Sequence, residues 1–359
     1  MKQDEIILLT VVGTLLCLGL LMVFNASSIK AFHLNGQSGF YLLRQMTFAI
    51  IGALALFLCA RFDYHWWSKL TLPLILLSIA LLGLVLVPGV GHQVKGAVRW
   101  IKTPLFNLQA SEFCKLSFVI YLCAYLAKKG DKIRDFKRGL MPPLVVLFIV
   151  VILLMQEPDF GSSVVIATLT VILVFVSGAR LKHLIIIAAI GIVGIVTAIA
   201  SQGYRIERLT SFINWHGKGT SYQLKQSLIA YGSGGLSGVG AGNSAQKLLY
   251  LPEAYTDFIV AVWAEEFGFI GVAFLVFLVL MLLMIGLKIS RSAPDRLGTL
   301  LAFGLTLLLV LQMTVNYWVT LGLLPTKGLT FPFLSYGGSS LCVSLAAVGV
   351  LLNVSHQTR

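Results

Sequence analysis

The chain has 359 residues, of which 58% are hydrophobic and only 11% are charged. An ordinary soluble domain carries about 25% charged residues, so this composition excludes a soluble enzyme, a disordered tail and a coiled coil. The net charge of +13 would suggest a nucleic-acid partner in a soluble protein. Here the positive-inside bias and anionic lipid account for it, and no nucleic-acid-binding motif occurs. We therefore predict an all-α polytopic membrane protein that forms one integral membrane domain over residues 1–359.

Ten segments are apolar enough to be predicted as membrane spans of ~20 residues each. They are 6–24, 41–60, 70–88, 109–127, 141–155, 160–178, 184–200, 257–287, 297–322 and 331–354. The fifth is short, so its lower end is expected to continue into residues 139–143. With the N-terminus inside, the inner short loops hold fifteen Lys and Arg residues and the outer ones six. The positive-inside rule then places both termini in the cytoplasm and the long 201–256 loop outside.

The long loop begins with a basic stretch that contains Arg205 and Arg208, continues with an amphipathic stretch over Ser221–Tyr231, and ends in a glycine-rich run over 232–242. One interpretation is a helix in the membrane interface followed by a flexible hinge. The other is a loop whose bare backbone N–H groups approach phosphate oxygens. The run lacks the GK[ST] ending of a nucleotide P-loop and follows no strand, so ATP binding is rejected.

Ionisable groups at membrane depth cost several kcal/mol unless they are paired, so they mark function by default. The acids at or inside predicted span edges are Glu112, Glu157, Asp159, Asp257, Glu265 and Glu266. Glu112 and Lys115 are three residues apart, which places them on one helix face. They are either a structural ion pair or a pair that lines a polar cavity, and the two interpretations are compatible. In the turn that contains Glu157 and Asp159, Pro158 and Gly161 break the helix. One interpretation is that the backbone of this turn lines a cavity. The other is a turn whose two acids face water.

The segment around Asp257 is the most informative. Pro252 and Thr256 predict the entry to a helix with Asp257 as its first residue, where the partial positive charge of the helix N-terminus favours the carboxylate. A carboxylate at the mouth of an outward-facing cavity can act as a general base. The alternative is an acid that only caps the helix. The helix from 258 to 287 would be about 45 Å long, so its first third is expected to project beyond the hydrocarbon core or to lie in a polar cleft.

Several motifs, which together span almost the whole chain, resemble those of the SEDS family (shape, elongation, division and sporulation). They are Gly96–Ile101, Gln109–Leu116, Glu157–Gly161, Tyr222–Ser227, Gly234–Gly238, Gly242–Lys247, Tyr250–Phe258 and Gly322–Ser340. The Gly-Asn-Ser run at 242–244, the turn at 87–91 and the segment 325–328 resemble the FtsW division branch more than RodA. The sequence departs from the family pattern at three positions: Val98 stands for a common Arg, Ala110 for Pro and Tyr255 for a frequent His.

The resemblance implies a ten-span glycosyltransferase of the bacterial cytoplasmic (inner) membrane. It would polymerise lipid II, the undecaprenyl-pyrophosphate disaccharide-pentapeptide, into glycan on the outer face. Asp257 matches the essential acid of the family. The resemblance further places Glu112, Lys115 and Asp159 around a central cavity and identifies Arg99 and Trp100 with an Arg-Trp motif. The implied partners are a class B penicillin-binding protein with transpeptidase activity and other membrane proteins of the divisome or elongasome.

The leaving pyrophosphate needs positive charge to offset its own. The candidates are Lys and Arg residues, chosen only because they are cationic and are predicted on the outer side. These are Arg99, Lys102, Arg205, Arg208, Lys218 and Lys247. Mg²⁺ or Mn²⁺ could do the same, and no organic cofactor is expected. The rival functions are a transporter that flips lipid II, which would use the same charges as a translocation pathway, and a scaffold that only recruits a transpeptidase. No clear internal repeat supports the transporter.

Overall fold

The computed structural model describes residues 2–94, 97–102, 107–200, 222–326 and 328–358, with the isolated positions 203, 206 and 210. This part of the chain is a helical bundle with one small sheet. Its α-helices are α1 Gln3–Asn35, α2 Phe40–Arg61, α3 His65–Lys69, α4 Thr71–Val85, α5 Ala110–Lys129, α6 Met141–Gln156, α7 Phe160–Val176, α8 Leu181–Ala200, α9 Tyr222–Gly234, α10 Ile259–Ser292, α11 Arg296–Thr320 and α12 Gly338–Gln357.

The number of apolar helices agrees with the predicted all-α polytopic architecture. Within the described ranges, seven helices are long and apolar enough to cross a membrane, and three shorter apolar ones lie in α4, α7 and the first part of α8. A π-helical turn over Phe136–Leu140 leads directly into α6, which confirms that the fifth segment continues at its lower end. The chain is therefore a multi-pass membrane protein.

Two helices differ most from the predicted spans at one end. The first helix does not end at residue 24 but continues to Asn35, where Gly36 stops it with a left-handed φ of 70°. The last helix begins at Gly338 rather than at residue 331. Before it, the chain forms turns in which Phe333 adopts a φ of 67°, and the side chains of Phe331 and Phe333 are buried. Residues 328–337, the "328–337 segment" below, thus fold back into the protein without forming a helix.

Both termini lie at the same end of the bundle. The Nζ of Lys2 donates hydrogen bonds to the carbonyl oxygen of Ser355 (3.0 Å) and to Oγ1 of Thr358 (2.7 Å). The C-terminal end of α10 lies at this same end of the bundle, because Lys288 pairs with Asp4 at 2.7 Å. The predicted topology requires both termini on one side, and the structure agrees. That this side is the cytoplasm stays a prediction from the charge bias.

A three-stranded antiparallel sheet, which the sequence analysis missed, lies between α4 and α5. Its strands are β1 Gly91–Val94, β2 Ala97–Lys102 and β3 Asn107–Gln109, in the order β1-β2-β3. The backbone N–H of Gln109 donates to Oγ of Ser339 at 3.1 Å. This bond attaches the sheet to the start of α12.

Glycines allow α2 and α12 to pack closely against each other. A Cβ at Gly52 would lie 2.5 Å from Cδ1 of Leu345, and one at Gly349 would lie 2.4 Å from the carbonyl oxygen of Leu56. Close approach of this kind is how apolar helices gain van der Waals contact in a lipid environment, where burial of apolar surface provides no driving force.

The 201–256 loop contains the predicted helix, which is α9, but its glycine-rich run packs tightly. The N–H groups of Val239 and Gly240 donate to the carbonyl oxygens of Glu265 and Glu266, both at 3.0 Å. These carbonyls are free to accept because α10 breaks at Gly268, which has a φ of 61° and a ψ of −160°. The flexible hinge and the phosphate-binding loop are therefore both wrong for this part of the run.

Candidate functional site

Asp257 lies in a turn ahead of α10 and is not its first residue. The helix begins at Ile259, with Phe258 as its N-cap. Glu253 adopts a φ of 60°, and its carbonyl oxygen accepts from the N–H groups of Thr256 (3.1 Å) and Phe258 (3.2 Å). These bonds close a turn at the place where Pro252 and Thr256 predict the start of a helix. The prediction that Asp257 is the first residue of the helix is therefore wrong.

The half-buried side chain of Asp257 faces the 328–337 segment. A Cβ at Gly328 would lie only 3.2 Å from Oδ2 of Asp257. Asn316 of α11 fixes both backbones, because its Nδ2 donates to the carbonyl oxygens of Asp257 (2.9 Å) and Leu329 (2.6 Å). The carboxylate is thus held against a glycine by a buried amide.

Glu112 and Lys115 form the predicted ion pair. The Nζ of Lys115 lies 2.8 Å from Oε1 of Glu112 and donates a second hydrogen bond to Oε1 of Gln312 at 2.9 Å. Both charged side chains are buried, with exposed fractions of 0% for Lys115 and 5% for Glu112. The structure therefore bears out the ion pair. Its role as the lining of a cavity stays a prediction.

The turn between α6 and α7 places both of its acids inside the protein, so the interpretation that they face water is wrong. Asp159 caps α7: its carboxylate accepts from the backbone N–H of Ser162 at 3.1 Å and from the hydroxyl of Ser162 at 2.8 Å. Arg99 donates from Nε to the carbonyl oxygen of Glu157 at 3.0 Å and from Nη2 to that of Pro158. Although burial raises the pKa of Asp159, the Arg99 charge and the Ser162 hydrogen bonds outweigh it and lower the pKa below its usual value.

The 328–337 segment brings these groups together. A Cβ at Gly161, in the first turn of α7, would lie 2.9 Å from Cγ of Leu329, and the adjacent Gly328 contacts Asp257. On the other side, Gln312 and Asn316 occupy one face of α11, four residues apart. They link Lys115 to the Asp257 turn. We refer to Asp257, Asp159, Glu112, Lys115, Arg99, Gln312 and Asn316 as the polar core.

Gln312 and Asn316 were missed in the sequence analysis, which considered only ionisable groups. The signal was present, because two amide side chains at helical spacing interrupt an apolar segment. Buried polar groups are costly unless hydrogen-bonded. Neutral amides inside an apolar helix therefore mark a polar site as Glu112 and Lys115 do.

Lys247, predicted as a substrate-binding cation, instead has its contacts in a second buried cluster. Its Nζ lies 3.1 Å from Oε1 of Glu266 and donates to Oδ1 of Asn25 at 2.6 Å. The neighbouring Glu265 accepts from the backbone N–H groups of Ala245 (3.2 Å) and Gln246 (3.3 Å). The charge of Lys247 is thus balanced within the protein.

The other predicted residues lie in the sheet or outside the described part. Trp100 is half-buried on β2, opposite Gln109 of β3. It follows Arg99 directly, so the two side chains point to opposite faces of the sheet. Lys102 is the last residue of β2. Arg205, Arg208 and Lys218 lie outside the described residues.

Tyr255, which stands where the SEDS pattern has a frequent His, belongs to an aromatic cluster beside Asp257. Its ring centroid lies 4.8 Å from that of Tyr41 and 5.7 Å from that of Tyr336, and Lys30 Nζ lies 4.9 Å from its centre. The N–H of Tyr336 donates to the carbonyl oxygen of Tyr255 at 2.9 Å. The cluster thus ties the Asp257 turn to α2 and to the 328–337 segment.

The described residues do not form a metal site from protein ligands alone. Across the ranges that the structure describes, no group of three or more His, Cys, Asp or Glu side chains could hold one. A protein cage for Mg²⁺ or Mn²⁺ would require several oxygen ligands around one point. The polar core instead pairs its carboxylates with Lys115, Arg99 and backbone or hydroxyl donors.

Comparison with known proteins identifies the family. The model of the FtsW, RodA and SpoVE family, described as "Cell cycle protein", matches residues 6–359. The chain belongs to this family. Among the relatives of this family member are "Probable peptidoglycan glycosyltransferase FtsW" of Trichlorobacter lovleyi, 42% identical over 99% of this chain and 94% of that protein, and "Stage V sporulation protein E" of Bacillus subtilis, 42% identical over 99% and 98%.

Solved structures of the family share the fold. The chain is similar to RodA of Thermus thermophilus, with a TM-score of 0.72 and 29% identity over 98% of this chain and 96% of that one. It is also similar to a chain from a structure described as the structural coordination of polymerization and crosslinking by a peptidoglycan synthase complex. That match has a TM-score of 0.80 and 28% identity, over 97% of this chain and 96% of that one. The helical architecture is therefore that of the family.

Proposed function

We propose that this family member is a peptidoglycan glycosyltransferase that polymerises lipid II into glycan strands on the outer face of the bacterial inner membrane. The names of its relatives support the reaction class. The observation that carries the proposal is the position of Asp257: a half-buried carboxylate, at the end of α10 remote from both chain termini, held against Gly328 by Asn316. With the termini in the cytoplasm, this carboxylate faces the outer side.

Asp257 acts as the general base in this proposal. It removes the proton from the 4-hydroxyl of the acceptor sugar while that oxygen forms a bond to the anomeric carbon of the donor. The bond from the anomeric carbon to the pyrophosphate oxygen breaks in the same step. The donor linkage is α and the product linkage is β, so one in-line displacement with inversion suffices. Pyrophosphate is a good leaving group, and a single carboxylate is therefore enough.

The cations of the polar core stabilise the developing negative charge on the pyrophosphate. Arg99 is the leading candidate because its half-buried guanidinium sits on the α6–α7 turn beside Asp159. Fixed cations in a site that excludes water act strongly on such charge. Mg²⁺ or Mn²⁺ enters the proposal only as a counter-ion of the substrate phosphates, and no step depends on it.

The partner and the biological branch belong to the same proposal. A similar chain comes from a complex described as coordinating polymerization and crosslinking, which supports a class B penicillin-binding protein with transpeptidase activity as partner. Other divisome or elongasome membrane proteins would complete the assembly. The relatives named FtsW, together with the FtsW-like runs at 242–244 and 325–328, favour the division branch.

Reconstitution tests the proposal directly. Purified protein in lipid vesicles, with lipid II as substrate, is expected to form glycan strands, and Asp257→Asn is expected to form none. Asp131→Asn, which changes an exposed acid at the other end of the bundle, serves as the matched control and should behave as wild type. Lipid flipping is measured in the same vesicles, with and without the transpeptidase. Flipping without polymer would identify a transporter, and unchanged polymerisation by Asp257→Asn would remove the base assignment.

A further inference from the structure

Glu157 is a buried acid that the proposed mechanism does not use. Its side chain has no exposed surface, and neither carboxyl oxygen has a hydrogen-bond partner in the described part of the chain. Buried polar atoms in proteins are nearly always paired, so a carboxyl with both oxygens unpaired requires an explanation. An ionised carboxylate in this position would be especially unfavourable.

The neighbouring charges already balance without Glu157. The charged groups nearby are Arg99 of β2, Asp159 of the α6–α7 turn, and the ion pair of Lys115 and Glu112 on α5. Two cations and two anions cancel. An ionised Glu157 would add one unbalanced negative charge inside the protein, which is the costly situation for a buried group.

The contacts of Arg99 support the same conclusion. Its guanidinium donates to the main-chain carbonyl oxygens of Glu157 and Pro158, although the Glu157 carboxyl belongs to the same residue as one of these acceptors. A carboxylate is a stronger acceptor for a guanidinium than a peptide carbonyl. The Glu157 carboxyl thus receives no hydrogen bond from the nearby guanidinium, and this arrangement is compatible with a neutral carboxyl.

We propose that Glu157 is held as a neutral carboxylic acid beside Asp159, and that this neutrality is required for Arg99 to bind the anionic pyrophosphate of the donor. The inference rests on the proposed function and adds a positioning residue to it. Ionised Glu157 would offset the charge of Arg99 and repel the pyrophosphate. The effect therefore falls on the binding of lipid II and so on its KM.

The electrostatic surroundings of Glu157 agree with the geometry. Burial first, and then the negative charge of Asp159, raise the pKa of Glu157 to about 9, while Arg99 lowers it. The group is protonated at neutral pH and loses its proton only in alkaline solution. Cys114 of α5 lies within electrostatic range of both acids.

The experiment combines infrared spectroscopy with kinetics of the full chain in lipid vesicles. The proteins are wild type, Glu157→Gln, which is neutral at every pH and nearly isosteric, and Asp131→Asn as control. At neutral pH, wild type and the control should show the carbonyl stretch of a protonated carboxyl that Glu157→Gln lacks, and the band should disappear near pH 9. Over the same range kcat/KM of wild type should fall about tenfold per pH unit through a rise in KM. Glu157→Gln should be active at neutral pH and should lack this alkaline loss.

Two results would overturn the inference. One is a wild-type spectrum identical to that of Glu157→Gln, which would mean that Glu157 is ionised. The other is an alkaline rise in KM that persists in Glu157→Gln. If Glu157→Gln does not fold, the wild-type protein still tests the inference. Its carbonyl band and its KM must then change at the same pH, and changes at different pH values would overturn the inference. Absence of polymerisation by wild type at every pH would refute the proposed function, whereas the infrared band would still report the protonation of Glu157.

Discussion

The buried ion pair of Glu112 and Lys115 leads to a quantitative stability prediction. Lys115 lies 2.8 Å from Glu112 and 2.9 Å from Gln312, with no exposed surface. Replacing it in Lys115→Met keeps the length of the side chain and removes its charge. The carboxylate of Glu112 is then buried without a partner, which costs about 3–5 kcal/mol. The free energy of unfolding should fall by this amount.

The matched variants separate this effect from a loss of packing. In the double variant Glu112→Gln with Lys115→Met neither charge of this pair remains, so most of the lost stability should return. Lys288→Met removes the exposed cation of the Lys288–Asp4 pair, whose side chain is 61% exposed. A pair of this kind contributes about 0–1 kcal/mol, and the variant should unfold almost as wild type does.

Thermal unfolding in lipid nanodiscs, followed by the change in intrinsic fluorescence, measures all four proteins under the same conditions. The expected order of stability places wild type and Lys288→Met together, the double variant slightly below them, and Lys115→Met well below. Equal losses for Lys115→Met and Lys288→Met would contradict the reasoning. So would a double variant that is as unstable as Lys115→Met.

Three further predictions concern the groups around the proposed base. Gly328→Ala places a Cβ about 3.2 Å from Oδ2 of Asp257, so the carboxylate must shift and the polymerisation rate should fall while thermal stability is kept; an unchanged rate would contradict the positioning of the base. Asn316→Leu removes the donor to the carbonyl oxygens of Asp257 and Leu329, at about 1–3 kcal/mol for each acceptor left unpaired, and should lower both the unfolding temperature and kcat. Glu157 has a folded-state pKa of about 9 against 4.5 ordinarily. The folded state therefore keeps a proton that the unfolded state has released between these values, and stability should fall with rising pH across this window. Unfolding temperatures measured from pH 5 to 9 should decline more steeply for wild type than for Glu157→Gln, and parallel curves would contradict the shift.

Local patterns in the sequence determined the helices and the pairings within one helix turn. Continuous apolar segments predict spans because a backbone in lipid must satisfy its own hydrogen bonds, and a helix does so within one segment. The Glu112–Lys115 pair was predictable for a related reason, since residues three apart on a helix are neighbours whatever surrounds them. The helix α9 follows equally from short-range periodicity. The continuation at the lower end of α6 follows from the shortness of the predicted fifth span.

Contacts between distant parts of the chain were decided only by the tertiary structure. Gln312, which is 197 residues away in the chain, accepts the second hydrogen bond of Lys115. Asn316 donates to the carbonyl oxygens of both Asp257 and Leu329. The turn at Asp257 and the 328–337 segment both contain apolar residues that resemble span ends, yet left-handed residues in each prevent a helix. Such conformations persist only where surrounding contacts compensate their local cost. Sequence spacing specifies neighbours along one helix, whereas the neighbours of a buried charge depend on which helices pack around it.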